Sequence, residues 1–410
     1  MKYYFEKLEE RILTYKSKYR NRPGKAAAKL AWWNLKCALK RHKRNVRKNV
    51  LQSIVEPVSE RLNIAFVLGG GIGDIILGSV YLSRFVDRLD CTYNAILFVG
   101  QSVEAVKNLL GNYTFGRNVY VISDLNETDF DLVLRLEVQF PEVSFYRLEK
   151  IEKCSAFLTE YIKKIEYFKN KHDLVGGGSK AFVQQAWCLL NGKTRITAMD
   201  VDEVLGISHN DRLDLSVPSA GYEILKRYNL EDKPFITLSR GVDAKNASDE
   251  SIRLWSVECY EKLVSLLKEK YPDVLIVQLG VSEERCRLIS GVDINLVGKT
   301  SFSELMALLD RAVLHVDAEC GMVHLRHFLS RRPSVVLFGA TTPLTKGYSE
   351  NINIRSDICP CPYCEWMLGE KWQTMCARNG LLKPECMAAI TPEQVMKRIE
   401  EYSVMFLEAC

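Results

Sequence analysis

The chain has 410 residues, of which 47% are hydrophobic and 26% charged, and its formal net charge is +5. This length allows two domains of ordinary size, and this composition is typical of a soluble globular protein. No apolar run reaches the roughly 18 residues that span a membrane, and no charged leader ends in small residues, so we expect neither a membrane-spanning nor a secreted protein. The 13 cysteines then indicate a reducing cytosol, where clustered thiols bind metal more often than they form disulfides.

The basic charge is concentrated at the N-terminus. The first 50 residues hold 16 Lys or Arg and three acidic residues, a net charge of +13, so the remaining 360 residues carry −8. This segment also contains the aromatic pair Trp32 and Trp33, and Pro23 and Gly24 mark a break between two predicted helical segments. We expect residues 1–60 to form a basic helical arm. Such an arm packs on the body of the protein, lies on an anionic membrane surface or binds nucleic acid.

Strands and helices alternate from residue 63 onward, which is typical of a parallel sheet covered by helices. The first half has four predicted strands, which read IAFVLGG, AILFVG, VYVIS and DLVLRLE. A mainly polar stretch, residues 149–206, follows and is predicted to be helical, with a glycine-rich loop at VGGGSK. We expect residues 61–212 to form one doubly wound domain.

The second half begins at the predicted strand PFITLSRG, after a turn-rich linker near residues 211–233. Its further strands read VLIVQLG, INLVG, VLHVDAE and SVVLFGA, and its helices SVECYEKLVSLLKEKY, a segment after SEERC, and SFSELMALLDRA. We expect a second doubly wound domain at residues 213–390 and a C-terminal helix at 391–410. Ligands bind at the carboxyl ends of such strands, where this chain has GGGIGD, SRG, LGVSEE, DAECG and FGATTP.

The turn GGGIGD, residues 69–74, carries one early carboxylate, Asp74. It lacks the last glycine of the dinucleotide fingerprint G-x-G-x-x-G and the lysine of the phosphate loop, so neither standard loop is present. Its glycines still let the backbone approach a ligand, and the helix that begins near Gly73 directs unsatisfied N–H groups into the same space. The alternative is a structural turn in which Asp74 only interacts with the helix dipole.

Five cysteines lie within 28 residues, in the segment CPCPYCEWMLGEKWQTMCARNGLLKPEC. Four of them have the count and spacing of a closed tetrahedral thiolate site, namely Cys361, Cys364, Cys376 and Cys386, with Cys359 as an alternate ligand. Four thiolates leave no open ligand position, so the spacing predicts a structural zinc or iron, within residues 359–386, rather than a catalytic metal. The alternative is five reduced cysteines in an irregular loop.

A series of motifs, in order, resembles those of the family 9 glycosyltransferases, whose best-known members are the bacterial heptosyltransferases of lipopolysaccharide. The resemblance covers residues 63 to about 400 and rests on GGGIGDIILGSVYLSRF, SRG, RLW, LGVSEER, GKTSFSELMALLDRA, ECGMVHLRHFL and VVLFGATTP. The nucleotide signature matches at Gly321 and His324. Four positions differ from the family's usual lysine, aspartate, hydroxyl residue and second acid, respectively Arg253, Glu319, Cys320 and Thr342.

The resemblance implies an α/β protein of GT-B architecture, in which two Rossmann-like doubly wound domains face a cleft, the first binding the acceptor and the second the nucleotide sugar. It implies inverting glycosyl transfer without a catalytic metal, with Asp74 as the base that deprotonates an acceptor hydroxyl. Arg253 and the backbone N–H groups at the start of the helix after Glu319 would hold the diphosphate, and Glu284 the ribose. The implied nucleotide-sugar contacts are Gly71, Gly73, Ser239, Arg240, Arg253, Glu284, Glu319, Cys320, Gly321, His324 and Thr341.

Two of these contacts also have ordinary structural readings. His324 would otherwise be a satisfied histidine on a buried helix, and Glu319 an acid at a helix start. The family motif favours the site in both cases.

These inferences favour a cytoplasmic enzyme that transfers heptose from ADP-heptose to lipopolysaccharide or another cell-surface glycan at the inner face of the inner membrane. Some relatives, the autotransporter heptosyltransferases, carry a cysteine-bound iron and glycosylate protein, so a protein acceptor is a second hypothesis. A metal-stabilised nucleic-acid-binding protein is a third, but the charge of −8 after the arm argues against nucleic acid as a partner. We expect acceptor specificity to lie in the loops of residues 149–206.

Overall fold

The computed structural model describes most of the chain beyond the basic arm. The arm prediction for residues 1–60 lies outside the described residues, as does the loop at 173–180. Among the described residues, no helix is both long and apolar enough to cross a membrane. The described ranges are 61–100, 103–136, 140–172, 181–240, 252–283, 286–330, 332–358, 375–376, 379–381 and 384–406.

Two sheets lie in one compact unit, Glu60–Ile122 with Phe130–Cys410. The described residues outside this unit, Ser123–Asp129, carry short 3-10 turns. The first sheet has five strands in the order β3-β2-β1-β4-β5, and its first four strands pair in parallel as predicted. In chain order they are β1 (Leu62–Leu68), β2 (Tyr93–Val99), β3 (Val119–Val121), β4 (Leu132–Leu136) and β5 (Glu142–Tyr146).

The edge strand β5 is absent from the sequence prediction. It pairs antiparallel with β4, and Val143 is its one fully buried residue. By contrast every residue of β1 is buried, which gives the continuous apolar run of a strand covered on both faces. A short, half-exposed edge strand leaves no such run, so the pattern of hydrophobic residues does not reveal it.

Helices cover the first sheet, and the polar stretch after β5 is helical, as predicted. The helix α1 follows β1 directly and buries ten of its 16 residues. The helices are α1 (Ile72–Asp87), α2 (Val103–Leu110), α3 (Leu148–Cys154), α4 (Ala156–His172), α5 (Ala181–Leu190) and α6 (Arg195–Met199).

The second sheet has six strands, all parallel, in the order β11-β10-β9-β6-β7-β8. The strands are β6 (Phe235–Ser239), β7 (Leu275–Leu279), β8 (Ile294–Asn295), β9 (Leu314–Ala318), β10 (Ser334–Phe338) and β11 (Ile352–Arg355). The helices are α7 (Glu223–Arg227), α8 (Val257–Lys270), α9 (Phe302–Arg311), α10 (Gly321–Leu329), α11 (Pro343–Lys346), α12 (Glu385–Ala388) and α13 (Pro392–Phe406).

The prediction of a helix after SEERC is wrong for the described residues, because 286–293 form no helix. The side chain of Gln278, fully buried on β7, explains the difference. Its Nε2 donates to the carbonyl of Arg287 at 2.9 Å, and its Oε1 accepts from the N–H of Ile289 at 2.9 Å. These bonds use backbone groups that a helix would have paired internally, so the segment lies as a loop along the sheet.

Apolar side chains fill both faces of the second sheet. On one face Trp255 and Tyr260 pack with α13, and the indole Nε1 of Trp255 donates to the carbonyl of Ile390 at 2.9 Å. On the other face α10 belongs to the same core cluster as β1 and α1. This shared core holds α10 against α1, the helix that follows β1.

A buried cation also secures α10. Arg326 is fully buried and donates to the carbonyls of Leu309, Ala312 and Pro333, at the end of α9 and before β10. Burial lowers the pKa of Arg326 to about 9. The three bonds satisfy the guanidinium without a carboxylate and tie α10 to its neighbours.

Candidate functional site

The glycine turn after β1 is shaped around the carboxylate of Asp74. Gly70 has φ +78°, a conformation that side-chain-bearing residues rarely adopt. A Cβ at Gly70 would also collide with the carboxylate. The N–H of Gly71 donates to Asp74 Oδ2 at 2.8 Å, so the turn holds one oxygen of the carboxylate at the start of α1.

The other oxygen of Asp74 accepts a charged hydrogen bond from Nη2 of Arg195 on α6. The Asp74 side chain is 30% exposed and that of Arg195 14%. Burial acts to raise the pKa of Asp74, but the charge and hydrogen bond of Arg195, aided by Gly71 and His324, outweigh it and hold the pKa below its usual value. The surroundings of Asp74 therefore favour its ionised form.

The first turns of α1 and α10 pack against each other through glycines. A Cβ on Gly73 would lie 2.7 Å from Cδ2 of His324 and 3.2 Å from Cα of Gly321. A Cβ on Gly321 would lie 3.1 Å from the nitrogen of Gly73 and would overlap Ile72. Two motifs separated by some 250 residues are thereby brought into direct contact, and Asp74 lies beside the N-terminus of α10.

Glu319, between β9 and α10, is buried among cations. Its Oε2 lies 3.3 Å from Nη2 of Arg253 and 3.9 Å from Nζ of Lys346, and its Oε1 lies 3.5 Å from Nε2 of His324. Nη2 of Arg253 also donates to the Glu319 carbonyl at 2.5 Å. Burial acts to raise the pKa of Glu319, but Lys346, His324 and Arg253 together hold it well below its usual value.

His324 is oriented by Tyr348. The Tyr348 hydroxyl lies 2.6 Å from Nδ1 of His324. Burial raises the pKa of Tyr348, which keeps the hydroxyl protonated and able to donate. The Tyr348 ring in turn stacks on His327, with ring centroids 3.5 Å apart. Donation to Nδ1 would leave the proton of a neutral His324 on Nε2, which faces Glu319.

The remaining predicted nucleotide contacts follow neighbouring strands of the second sheet. Ser239 and Arg240 are buried at the end of β6, and Thr341 is buried beyond β10. The Ser239 hydroxyl is buried and has no hydrogen-bond partner among the described residues. The thiol of Cys320 donates to Asp317 Oδ2 at 2.9 Å, and burial raises its pKa well above the usual value.

Several predicted residues are not described. Glu284 and the cysteines Cys359, Cys361 and Cys364 lie outside the described residues. Cys376 and Cys386 are described, both are buried, and neither forms a disulfide with a described cysteine. Among the described ranges no group of three or more His, Cys, Asp or Glu could hold a metal ion.

Three site residues are absent from the sequence prediction, namely Arg195, Lys346 and Tyr348. Lys346 and Tyr348 follow the FGATTP motif within eight residues, so a cation and a polar ring close to that motif were a usable signal. Arg195 lies in a helical stretch without a motif, so the sequence contained no signal for it. These residues line a small cleft with Thr194, His209 and His324.

Two Rossmann-like sheets, with polar residues at the carboxyl ends of their strands and a glycine turn packed against the start of α10, have the architecture of a GT-B glycosyltransferase. The family model "Glycosyltransferase family 9 (heptosyltransferase)" matches residues 120–366. The chain therefore belongs to glycosyltransferase family 9.

Solved structures share this fold. ADP-heptose lipopolysaccharide heptosyltransferase II of Escherichia coli matches with a TM-score of 0.51 and 13% identity, over 84% of this chain and 99% of that one. The iron-containing dodecameric glycosyltransferase TibC of enterotoxigenic E. coli matches with a TM-score of 0.56 and 15% identity, over 85% of this chain and 78% of that one. TibC in complex with ADP-D-β-D-heptose matches with a TM-score of 0.54 and 16% identity, over 84% and 77%. No curated protein matches the chain by sequence.

Proposed function

We propose that this glycosyltransferase transfers heptose from ADP-heptose to a cell-surface glycan with inversion at the anomeric carbon, and that Asp74 is the base. The contact of Gly73 with Gly321 carries the proposal, because it sets an ionised carboxylate beside the start of α10, Glu319 and its cations. Similarity to an ADP-heptose lipopolysaccharide heptosyltransferase and to a TibC complex with ADP-heptose supports the choice of donor and acceptor.

The residues divide the reaction between them. The acceptor hydroxyl gives its proton to the Asp74 carboxylate while its oxygen forms a bond to the anomeric carbon. The bond from that carbon to the diphosphate oxygen breaks, and its electrons leave with ADP. Backbone N–H groups at the start of α10, with Arg253 and Lys346, stabilise the charge that develops on the diphosphate.

Glu319 has a supporting role in this scheme. Arg253 and Lys346 both approach its carboxylate, so two cations that would otherwise repel each other are held in one buried place. The carboxylate in this way orients the cations that the diphosphate needs and reduces the cost of burying them.

We further propose a structural metal, zinc or iron, in the cysteine-rich segment. The two described cysteines are compatible with such a site, because Cys376 and Cys386 are buried and neither forms a disulfide with a described cysteine. The carbonyl of Cys376 accepts from the N–H of Gly380 at 2.9 Å, and Gly380 has φ +69°. The metal would stabilise the fold, and no step of the transfer depends on it.

Assay of ADP release tests the donor and the base together. ADP-D-β-D-heptose is the donor, heptose-free lipopolysaccharide is one acceptor, and an unglycosylated autotransporter passenger is the other. Asp74→Asn should slow release by about 100-fold or more but keep donor binding, measured as a thermal shift. Absence of both release and thermal shift would contradict the donor, and near-normal turnover of the variant would remove Asp74 from the mechanism.

We also propose that the basic arm holds the enzyme at the inner face of the inner membrane. The charge of +13 in the first 50 residues supports this, because each Lys or Arg near an anionic surface contributes about 1 kcal/mol. The full chain should co-sediment with anionic vesicles at low salt and be released at high salt, whereas a chain without residues 1–60 should not co-sediment. Equal, salt-insensitive behaviour of both chains would contradict a membrane role.

A further inference from the structure

Among the described residues, Arg195 is the cation that pairs with the proposed base. Its Nη2 donates to Oδ1 of Asp74, and Oδ2 of the same carboxylate accepts from the N–H of Gly71. Each oxygen therefore accepts one hydrogen bond from the described residues and keeps a lone pair for another donor. The two donors come from different elements, so the carboxylate plane is fixed.

The position of Arg195 is set by its short helix. Thr194 caps α6 through its bonds with Thr197, and its hydroxyl lies 3.3 Å from Nδ1 of His209. Ile196 and Ala198 are buried on the same helix. Because the backbone of Arg195 is held in a capped and packed helix, its guanidinium loses little side-chain entropy when it pairs with Asp74.

Desolvation makes such a partner necessary. The carboxylate lies under the glycine turn and against α10, where burial favours the protonated form. Among the described residues, the charged and titratable groups that face it are Arg195 from α6 and His324 from α10, and Lys346 and Tyr348 line the adjoining cleft. A protonated Asp74 cannot accept the acceptor's proton.

We propose that Arg195 is the positioning residue of the base, which holds the Asp74 carboxylate ionised and correctly oriented so that sugar transfer continues at acidic pH. The inference rests on the proposed role of Asp74. Arg195 lies in the helical stretch before the second sheet and in none of the family motifs, so this role is additional to those that the motifs imply.

The pH dependence of kcat tests this role. Turnover of ADP-D-β-D-heptose is measured from pH 4.5 to 9 for the parent, Arg195→Met, Arg195→Lys and the control Arg84→Met. Arg84 also lies next to a carboxylate, with Nη2 2.5 Å from Asp211 Oδ1, but at the far end of α1 and 45% exposed. In Arg195→Met the acidic limb should move upward by about one pH unit or more, in Arg195→Lys by less, and in Arg84→Met not at all.

Two further measurements separate this inference from the proposed function. Melting temperatures show whether each variant is folded. If Arg195→Met does not fold, the pH profile of Arg195→Lys provides the test. In the Asp74→Asn variant, the added change Arg195→Met should leave the pH dependence of the residual rate unchanged, because the carboxylate that Arg195 acts on is absent.

The outcomes are distinct. An active Asp74→Asn overturns the proposed function. An inactive Asp74→Asn, together with an Arg195→Met profile that superimposes on the parent, overturns only the role of Arg195. An Arg195→Met that is faster than the parent at every pH also overturns it, because the ion pair would then obstruct the acceptor.

Discussion

Gly73 and Gly321 lie against each other where the first turns of α1 and α10 meet, so closely that a Cβ on Gly73 would come within 3.2 Å of Cα of Gly321. No side chain separates the two helices at this point. The start of each helix carries unsatisfied N–H groups, and the close approach of the helices brings these two sets of donors near each other. The spacing between the helices therefore depends on the absence of two side chains.

Substitution of Gly321 by Ala tests this dependence. The new Cβ would overlap Ile72 and approach the nitrogen of Gly73 to 3.1 Å, so the helices must move apart. We expect a loss of about 1–3 kcal/mol in the free energy of unfolding, measured with urea, and weaker binding of ADP-D-β-D-heptose. Gly100→Ala is the matched control, because its Cβ would meet its nearest neighbour at an ordinary 3.7 Å. Equal stability of the two variants would show that the contact can relax.

Lys346→Met should destabilise the fold in a pH-dependent way. The pKa of Glu319 is well below its usual value, so its ionised form stabilises the fold above about pH 4.3, and this contribution is lost as the pH falls through the folded-state pKa. Without Lys346, the effect of burial, which raises the pKa of Glu319, is opposed by Arg253 and His324 alone of the three partners named above. We expect a loss of about 3 kcal/mol at pH 7, measured by urea denaturation, which becomes smaller as the pH falls through the ordinary glutamate range.

Lys268→Met is the control for this experiment. Lys268 pairs with Asp293 at 2.6 Å, but the two side chains are 39% and 28% exposed. Such a surface pair contributes about 0–1 kcal/mol. A Lys346→Met variant that loses no more than this control, or whose loss does not change with pH, would contradict the buried-cation account of Glu319.

Tyr348→Phe should affect catalysis more than folding. The change removes the hydroxyl 2.6 Å from Nδ1 of His324 but keeps the ring that stacks on His327. We expect a cost of about 1 kcal/mol in stability and about a tenfold loss of kcat, the change expected from about 1.4 kcal/mol of lost orientation. Tyr222→Phe, which loses a hydrogen bond to Asp310 on α9, should keep its activity. Similar kcat values for both variants would show that His324 needs no orientation by Tyr348.

Metal content tests the cysteine-rich segment. Elemental analysis should find about one zinc or iron per chain, and Cys361→Ser or Cys376→Ser should lose it. Because a closed thiolate site contributes to folding, metal loss should lower the melting temperature more than it lowers activity per folded molecule. Cys259→Ser, at a half-buried cysteine on α8, should keep the metal. A fully stable protein without metal would contradict the site.

The sequence predicts those parts of the fold that leave a local signal. Runs such as LNIAFVL and SVVLF are buried along their whole length, so their strands are evident. β5 is a half-exposed edge strand, and the loop after Cys286 follows the side chain of Gln278 on another strand. Neither is determined by nearby residues alone, and so neither could be found from local patterns.

The same reasoning applies to the site. Asp74 and His324 lie in the first turns of α1 and α10, beside glycines that a family motif marks. Arg195 acts only through its approach to Asp74, which is 121 residues away in the chain. Such a pairing depends on the packing of α6 on α1, which no pattern within either helix specifies.

The order of strands in the second sheet has a consequence for synthesis. The central strand β6 lies between β7 and β9. The hydroxyl of Thr237 on β6 is hydrogen-bonded to Nδ1 of His315 on β9, which is 78 residues further along the chain. At translation rates of about 5–20 residues per second, β6 would wait about 4–16 s for that neighbour. During this interval one edge of an apolar strand has unpaired N–H and C=O groups and is open to pairing with other chains. We therefore expect the nascent chain to aggregate most readily before β9 has left the ribosome.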